Sequence, residues 1–339
     1  MLPFSSWMFK AMVQNVFSVL PNGHNLYASL LEYVLRLKPK YYDRLHMKSE
    51  EFEKKVPQIR RHIENYLLGQ AKYESRSSGE GLTKSLENAR VLELGTGWYP
   101  VVPIGLYLCG AAEIWTLDIV SQCRLDRIKY LLTLFLTYAR EDRFSQLLPF
   151  VDHHRISTLE ELVSCSGQRG EELLKEMNIY MMIGDSRNIQ MQSTTIDLFV
   201  SNNVLEHIPK HSLVEIFQEF RRLGSDKAVM SHNIDMGDHH SYVDQSITKY
   251  NYRRYNKYVW WLFNNSINYQ NRLCVSDYEE VHDVTRWRII EKEIRRGNYE
   301  KWVNKIKISK EFHKYATWEW FVDWCWFVSI LDIQAEDNM

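Results

Sequence analysis

Residues 91–100 read VLELGTGWYP. A short apolar run ends in Glu93, and Gly95 and Gly97 flank the single residue Thr96. Glycine enters left-handed backbone conformations without a Cβ penalty and lets a ligand approach the main chain closely. A strand, a glycine turn and a helix in succession therefore aim a helix N-terminus at a ligand. Such a unit belongs to open α/β sheets, which bind ligands outside the carboxyl ends of their strands. In a dinucleotide fingerprint a third glycine would fall at position 100, which is Pro100 here, after the bulky Trp98 and Tyr99. These residues count against a pyrophosphate. Glu93 also repels phosphate and suits an α-ammonium group, directly or through water.

The rest of the chain repeats strand and helix. RVLEL (90–94), IWTLD (114–118), IYMMIGD (179–185), IDLFVSNN (196–203) and KAVMSHNI (227–234) read as strands. VSDYEEVHDVTRWRIIEKEI reads as helix then strand, and WCWFVSILD (324–332) as a last strand. PVVPIGLYLCG reads as a short helix, because Pro100 and Pro103 fit only a first turn and Gly110 fits the position after its end. IKYLLTLFLTYARE is a strong helical pattern. A capping box from Ser212 to Glu215 opens a helix with apolar Leu213, Ile216, Phe217 and Phe220, ended by Gly224. This alternation predicts parallel βαβ units with helices on both faces.

Three regions stand outside that rhythm. Residues 1–88 carry helical patterns, clearest in LYASLLEYVLRL and EEFEKKVPQIRRHIENYLLG, and SRSSGEG (75–81) reads as a linker or mobile loop. They are expected to form an N-terminal helical cap region ahead of a core over 89–339. At the extreme N-terminus, Ser6, Lys10, Gln14 and Ser18 form a polar stripe opposite Phe9, Met12, Val13, Val16 and Leu20. That predicts an amphipathic helix packed through the second set. Helical insertions are expected at about 140–178 and 236–272, the second rich in aromatics.

VLELGTGWYP resembles the first motif of the class I S-adenosylmethionine-dependent methyltransferases, and the remaining motifs follow in order. Asp118 ends the second strand and matches the acid that accepts hydrogen bonds from the ribose hydroxyls, with Ile119 beside it. Gly184, Asp185 and Ser186 match the turn that meets the adenine amino group. DLFVSNNVLEHI (197–208) resembles the fourth-strand motif, whose Ser201–Asn203 segment, with Asn202 and Asn203, would line the methionine moiety. The resemblance covers roughly residues 88–235 and departs from the loosest form of the first motif at Tyr99. It implies a Rossmann-like seven-stranded, mostly parallel sheet in the order 3-2-1-4-5-7-6. It also implies S-adenosylmethionine as cofactor, with Glu93, Gly95, Thr96 and Gly97 in its site, and a methyltransferase of bacterial small-molecule type.

Methyl transfer from a sulfonium needs positioning, and a base only where the acceptor must lose a proton. Candidates after the fourth and fifth strands are His207, His232, Asp235 and His239. His240, Tyr255, Trp260 and Arg272 are candidates for acceptor binding, the aromatics by stacking and Arg272 by charge. NYQNRL (268–273) adds a resemblance to methyltransferases of small molecules and glycan clusters. The His and Asp spacing matches no closed zinc motif, and the fourth strand lacks the acid of catechol-type magnesium enzymes, so no metal is expected.

Lys+Arg 42 against Asp+Glu 43 gives no reason to expect a duplex-binding surface. The five cysteines include no CxxC pair, which fits a reduced, cytoplasmic chain. No apolar run approaches the roughly 18 residues of a bilayer span. The readings in play are a small-molecule methyltransferase, one acting on protein or nucleic acid, or a catalytically silent S-adenosylmethionine-binding partner protein. A homo-oligomer is left open by the sequence.

Overall fold

The computed structural model describes residues 6–21, 49–75, 85–120, 123–164 and 169–332, with a few isolated positions between 23 and 47. Most of LYASLLEYVLRL and of SRSSGEG lies outside the described residues. Seven strands form the main sheet: β1 (Arg90–Leu94), β2 (Glu113–Asp118), β3 (Ile179–Ile183), β4 (Ile196–Asn202), β5 (Gly224–Asp235), β6 (Trp287–Arg296) and β7 (Val322–Leu331). Their spatial order is β3-β2-β1-β4-β5-β7-β6. The first five pair in parallel, and β7 runs antiparallel to both its neighbours. This is the Rossmann-like α/β fold, in the order the resemblance implied.

The helices are α1 (Ser6–Ser18), α2 (Ser49–Glu74), α3 (Val101–Leu108), α4 (Leu125–Arg140), α5 (Phe144–Leu147), α6 (His153–Ser164), α7 (Gly170–Lys175), α8 (Lys210–Leu223), α9 (Lys257–Trp261), α10 (Val275–Val284) and α11 (Tyr299–Trp302). One core cluster joins α2, α3, α4, α6 and α7 to one sheet face, and a second joins α8 and α10 to the other. The α3 start follows the two prolines: Pro100 caps it and Pro103 sits in its first turn, where a missing N–H costs nothing. Gly110 takes φ +104 just past its end.

Helix α2 is a layer of the core rather than a cap, with Phe52, Val56, Ile59 and Ile63 fully buried in the first cluster. It is also tied to the sheet by a buried polar junction. Ser231 Oγ of β5 accepts hydrogen bonds from Asn65 Nδ2 at 2.8 Å and Trp326 Nε1 at 2.9 Å, and lies 2.9 Å from His62 Nδ1. With both Oγ lone pairs occupied, the serine proton goes to His62 Nδ1.

Several sequence expectations change in detail. Helix α1 buries Trp7, Ala11 and Gln14, while Phe9, Met12, Val16 and Leu20 are exposed. The Trp7 ring, packed among Tyr255, Trp260, Phe263 and His240, sets the face. The capping box at Ser212–Glu215 does not form: α8 starts three residues earlier, with Pro209 rather than Ser212 at its N-cap, and Ser212 is inside it. Strand β5 begins directly at Gly224, with no loop after α8. The 236–272 insertion is mostly turns with short 3₁₀ segments and the brief α9. Asn side chains account for the interruptions, since they bond nearby backbone N–H groups in place of helix carbonyls: Asn256 Oδ1 starts α9 afresh as its N-cap, accepting from Tyr258 and Val259 N–H, and Asn265 Oδ1 holds a turn by accepting from Ile267 and Asn268 N–H.

Ser231→Ala would leave His62, Asn65 and Trp326 without their shared partner. Each orphaned buried group costs about 1–3 kcal/mol, so the denaturant midpoint should fall by several kcal/mol equivalents at unchanged m-value, read by chemical unfolding.

Candidate functional site

The site forms where strand order reverses, between β1 and β4, the switch point of open α/β sheets. After β1 the chain turns left-handed at Gly95 (φ +80) and Gly97 (φ +63). Any Cβ at Gly95 would run into Val204, whereas the Cβ position of Gly97 faces open space. The Gly95 N–H donates to Leu117 O at 2.8 Å and the Gly97 N–H to Asp118 Oδ2 at 3.0 Å. Thr96 Oγ1 bonds Thr116 Oγ1 beneath the turn. The opposite wall is fixed by Asn203, left-handed at φ +56, whose N–H donates to Asn233 O at 2.9 Å.

A cavity of about 740 Å³ opens above these turns, within the usual range of small-molecule sites, roughly 300–1,000 Å³. Its floor is Leu94–Gly97, one wall carries Asp118, Ile119 and Gly184–Ser186, and the other carries Asn202–Val204 and His207. The sequence-assigned cofactor residues thus converge on one cavity, with two qualifications. Glu93 is buried just behind the floor with Oε2 unpartnered, and burial pushes its carboxyl up to about 8, against the pull of Lys55. Asp185 lines the cavity, but Arg187 grips its carboxylate, Nε reaching Oδ1 at 2.9 Å, and holds the acid down at about 2.

The catalytic and acceptor candidates separate. His207 lines the cavity. Its Nδ1 lies 2.6 Å from Tyr269 O, and a carbonyl only accepts, so Nδ1 carries the proton and Nε2 keeps its lone pair. Burial, then His239, lower this imidazole to about 4, so it is neutral near pH 7. His239 stands beside it, ring centroids 4.8 Å apart, and Asp235 Oδ2 lies 3.4 Å from His239 Nε2. His232 is instead a core residue, fully buried on β5, bonded to Ser201 Oγ at 2.8 Å and stacked on Phe217. The strand's alternation sends it toward α8 and α10 rather than the cavity.

His240, Tyr255, Trp260 and Arg272 belong to packing under α1, not to the cavity wall. His240 and Trp260 are buried against Trp7. Tyr255 stacks on Trp260. Arg272 donates to Tyr252 O, Tyr255 O and Glu311 Oε1 and covers the Trp260 ring, so its charge is already answered.

Two groups, Lys55 on the cavity wall and His62 buried behind Asn202, escaped the sequence reading because they arrive from α2. Lys55 lines the cavity opposite Glu93. His62 meets Asn202 with 2.9 Å between Nε2 and the carboxamide. Burial keeps His62 neutral, down to about 3, and the serine proton on Nδ1 leaves Nε2 protonated. The Asn202 oxygen therefore belongs on the His62 side, leaving its NH₂ as the unpartnered group. Glu206, fully enclosed before His207, was also missed; the dipeptide in VLEHI was its only signal.

Strand order, glycine turn and acidic strand ends are arranged as the resemblance to class I S-adenosylmethionine-dependent methyltransferases implied. No protein-family model matches the chain, and no curated protein matches it. Solved structures overlap partly. A SAM-dependent methyltransferase from Methanosarcina mazei is 11% identical, with 72% of this chain and 93% of that one covered at TM-score 0.40. An S-adenosylmethionine-dependent methyltransferase from Mesorhizobium loti is 10% identical, with 73% and 93% covered at TM-score 0.37. A geranyl diphosphate methyltransferase solved with SAM is 8% identical, with 94% and 95% covered at TM-score 0.39. Overlaps this partial carry no weight.

The raised Glu93 carboxyl has a stability consequence. Between the unfolded value, 4.5, and about 8, the unfolded chain ionises while the folded carboxyl stays protonated, so folding stability falls as pH rises. The wild type should therefore lose stability relative to Glu93→Gln across that window and run parallel to it above, measured by unfolding midpoints against pH.

Proposed function

We propose that this protein binds S-adenosylmethionine in the switch-point cavity and transfers its methyl group to a small-molecule acceptor. The observation that carries the reading is the Asp118 carboxylate, held by the Gly97 N–H beside an open cavity at the end of β2. Such a carboxylate suits a pair of vicinal hydroxyls and repels a phosphate. Lys55 lines the cavity and offers a positive charge for the carboxylate of an amino-acid end, and an ammonium bound above Glu93, which lies behind the floor and is protonated without it, would favour the ionised carboxylate. The adenine would lie against Ile119 and Gly184–Ser186, where Ile119 is 77% exposed and Gly184 has open space beside it.

In the transfer itself, a lone pair of the acceptor attacks the methyl carbon as the carbon–sulfur bond breaks. The bonding pair stays on sulfur, which becomes the neutral thioether of S-adenosylhomocysteine. An acceptor O–H or N–H must then shed its proton. His207 brings an unprotonated Nε2 to this end of the cavity, where it can take a proton or bind a Lewis acid. Near-neutral net charge (−1) and a concave site favour a small acceptor over duplex nucleic acid.

Calorimetry tests the reading. S-adenosylmethionine and S-adenosylhomocysteine should both bind, and Asp118→Ala should weaken them by about 1.5–3 kcal/mol, the usual value of hydrogen bonds to a charged group. Lys55→Met should also weaken both without unfolding the chain. Equal affinity in a folded Asp118→Ala protein would sink the cofactor assignment.

A further inference from the structure

We propose that Glu206, His207 and His239 form a binding site for a zinc-class divalent cation at the acceptor end of the cavity. One ligand atom from each lies within 4.8 Å of the others. Around a common ion with bonds of about 2.1 Å, ligand atoms would sit about 3–3.5 Å apart, so closing the site takes side-chain rotations of about 1 Å. Two imidazoles and one carboxylate are a donor set suited to zinc, cobalt, manganese or iron(II), and three protein ligands leave a position open.

The unpartnered atoms point the same way. Glu206 is 3% exposed, yet neither carboxylate oxygen has a hydrogen-bond partner. His239 Nε2 is likewise buried, and its neighbour is the Asp235 carboxylate, 3.4 Å away. His207 has its Nδ1 proton on Tyr269 O, which frees Nε2 and is the orienting bond that metal-bound imidazoles generally make. Asp235 adds a half-buried carboxylate beside His239, anchored by the Gly237 N–H at 2.8 Å and the Tyr242 hydroxyl. Asp235 is the charged group acting on Glu206, and His239 the one acting on Asp235, with no lysine or arginine among them.

The support around the ligands is continuous. Consecutive residues of the NYQN segment hold all three in place. Tyr269 O fixes the His207 ring. Gln270 Oε1 accepts the His239 N–H at 2.9 Å, and its Nε2 donates to Gly237 O at 2.8 Å. The Asn271 N–H donates to Glu206 O at 2.8 Å, and Nδ2 donates to Leu205 O and Ile208 O, each at 2.8 Å. The insertion thus serves the ligand cluster through its backbone and amides, while its aromatics pack under α1.

His207 also lines the cavity, so the open coordination position borders the acceptor space. The ion's role there rests on the methyltransferase reading: an acceptor hydroxyl bound to it would lose its proton more readily. Ion binding itself does not depend on that reading.

The test uses tag-free, chelator-dialysed protein titrated with Co²⁺, followed by visible ligand-field absorption, then by displacement with Zn²⁺. Wild type should bind one Co²⁺ per chain with a low-symmetry spectrum. Glu206→Gln and His239→Gln should each abolish the spectrum. Gln270→Ala, which touches no metal, should weaken binding about 10–100-fold, as loss of an outer-shell partner does. S-adenosylhomocysteine calorimetry on every variant shows whether the cofactor site is intact, and circular dichroism shows folding independently of that reading. No Co²⁺ binding by folded wild type, or unchanged spectra in folded Glu206→Gln and His239→Gln, overturns the proposal. Failure of cofactor binding with Co²⁺ binding intact overturns the methyltransferase reading alone.

Discussion

The turn at Gly95–Gly97 governs the site. Its left-handed backbone cannot relax, because Val204 fills the space a Cβ at Gly95 would need, and its N–H groups are committed to Leu117 and Asp118. Three strand ends, β1, β2 and β4, are thereby locked to one another at the place where the sheet's order reverses. The cavity follows from that lock. So does the exposure of Gly97, the one residue of the turn with free space on its ligand side.

The second determinant is helix α2, which the sequence separated from the core. Its apolar stripe replaces the covering that β5 and β7 would otherwise lack, and its polar residues meet Ser231 and Asn202. Buried networks of this kind fix one register, since a one-residue slip would orphan several groups. The same helix carries Lys55 to the cavity wall. A helix that reads as an appendage by position is thus both a structural layer and a part of the site.

The acceptor side shows why aromatic density is a poor guide to a binding surface. Trp7, Tyr252, Trp260 and Phe263 form a small closed cluster because α1 must bury its largest ring somewhere, and the insertion offers rings to receive it. Arg272 serves that cluster as a brace between two backbone carbonyls and Glu311. The polar residues of the same insertion, Gln270 and Asn271, reach the functional turn instead.

What the sequence by itself determined is local and periodic. The sheet's strands, the helix ends at Pro100 and Gly110, the glycine turn and the acids at strand ends are all set by steric rules within a few residues, and these were legible. The strand order came from a family resemblance, and the topology agrees with it. Tertiary structure decided everything that depends on which face of an element turns inward. His232 and His239 look equivalent in SHNIDMGDHH, yet strand alternation buries one against Phe217 and the turn after Asp235 delivers the other to His207. Phe9 and Trp7 are both apolar, yet only one ring fits the receiving cluster. His239 and the amide supports are far in the chain from the adjacent Glu206 and His207, and only packing brings them within reach. No spacing rule anticipates such a cluster, because its geometry belongs to the fold rather than to any one segment.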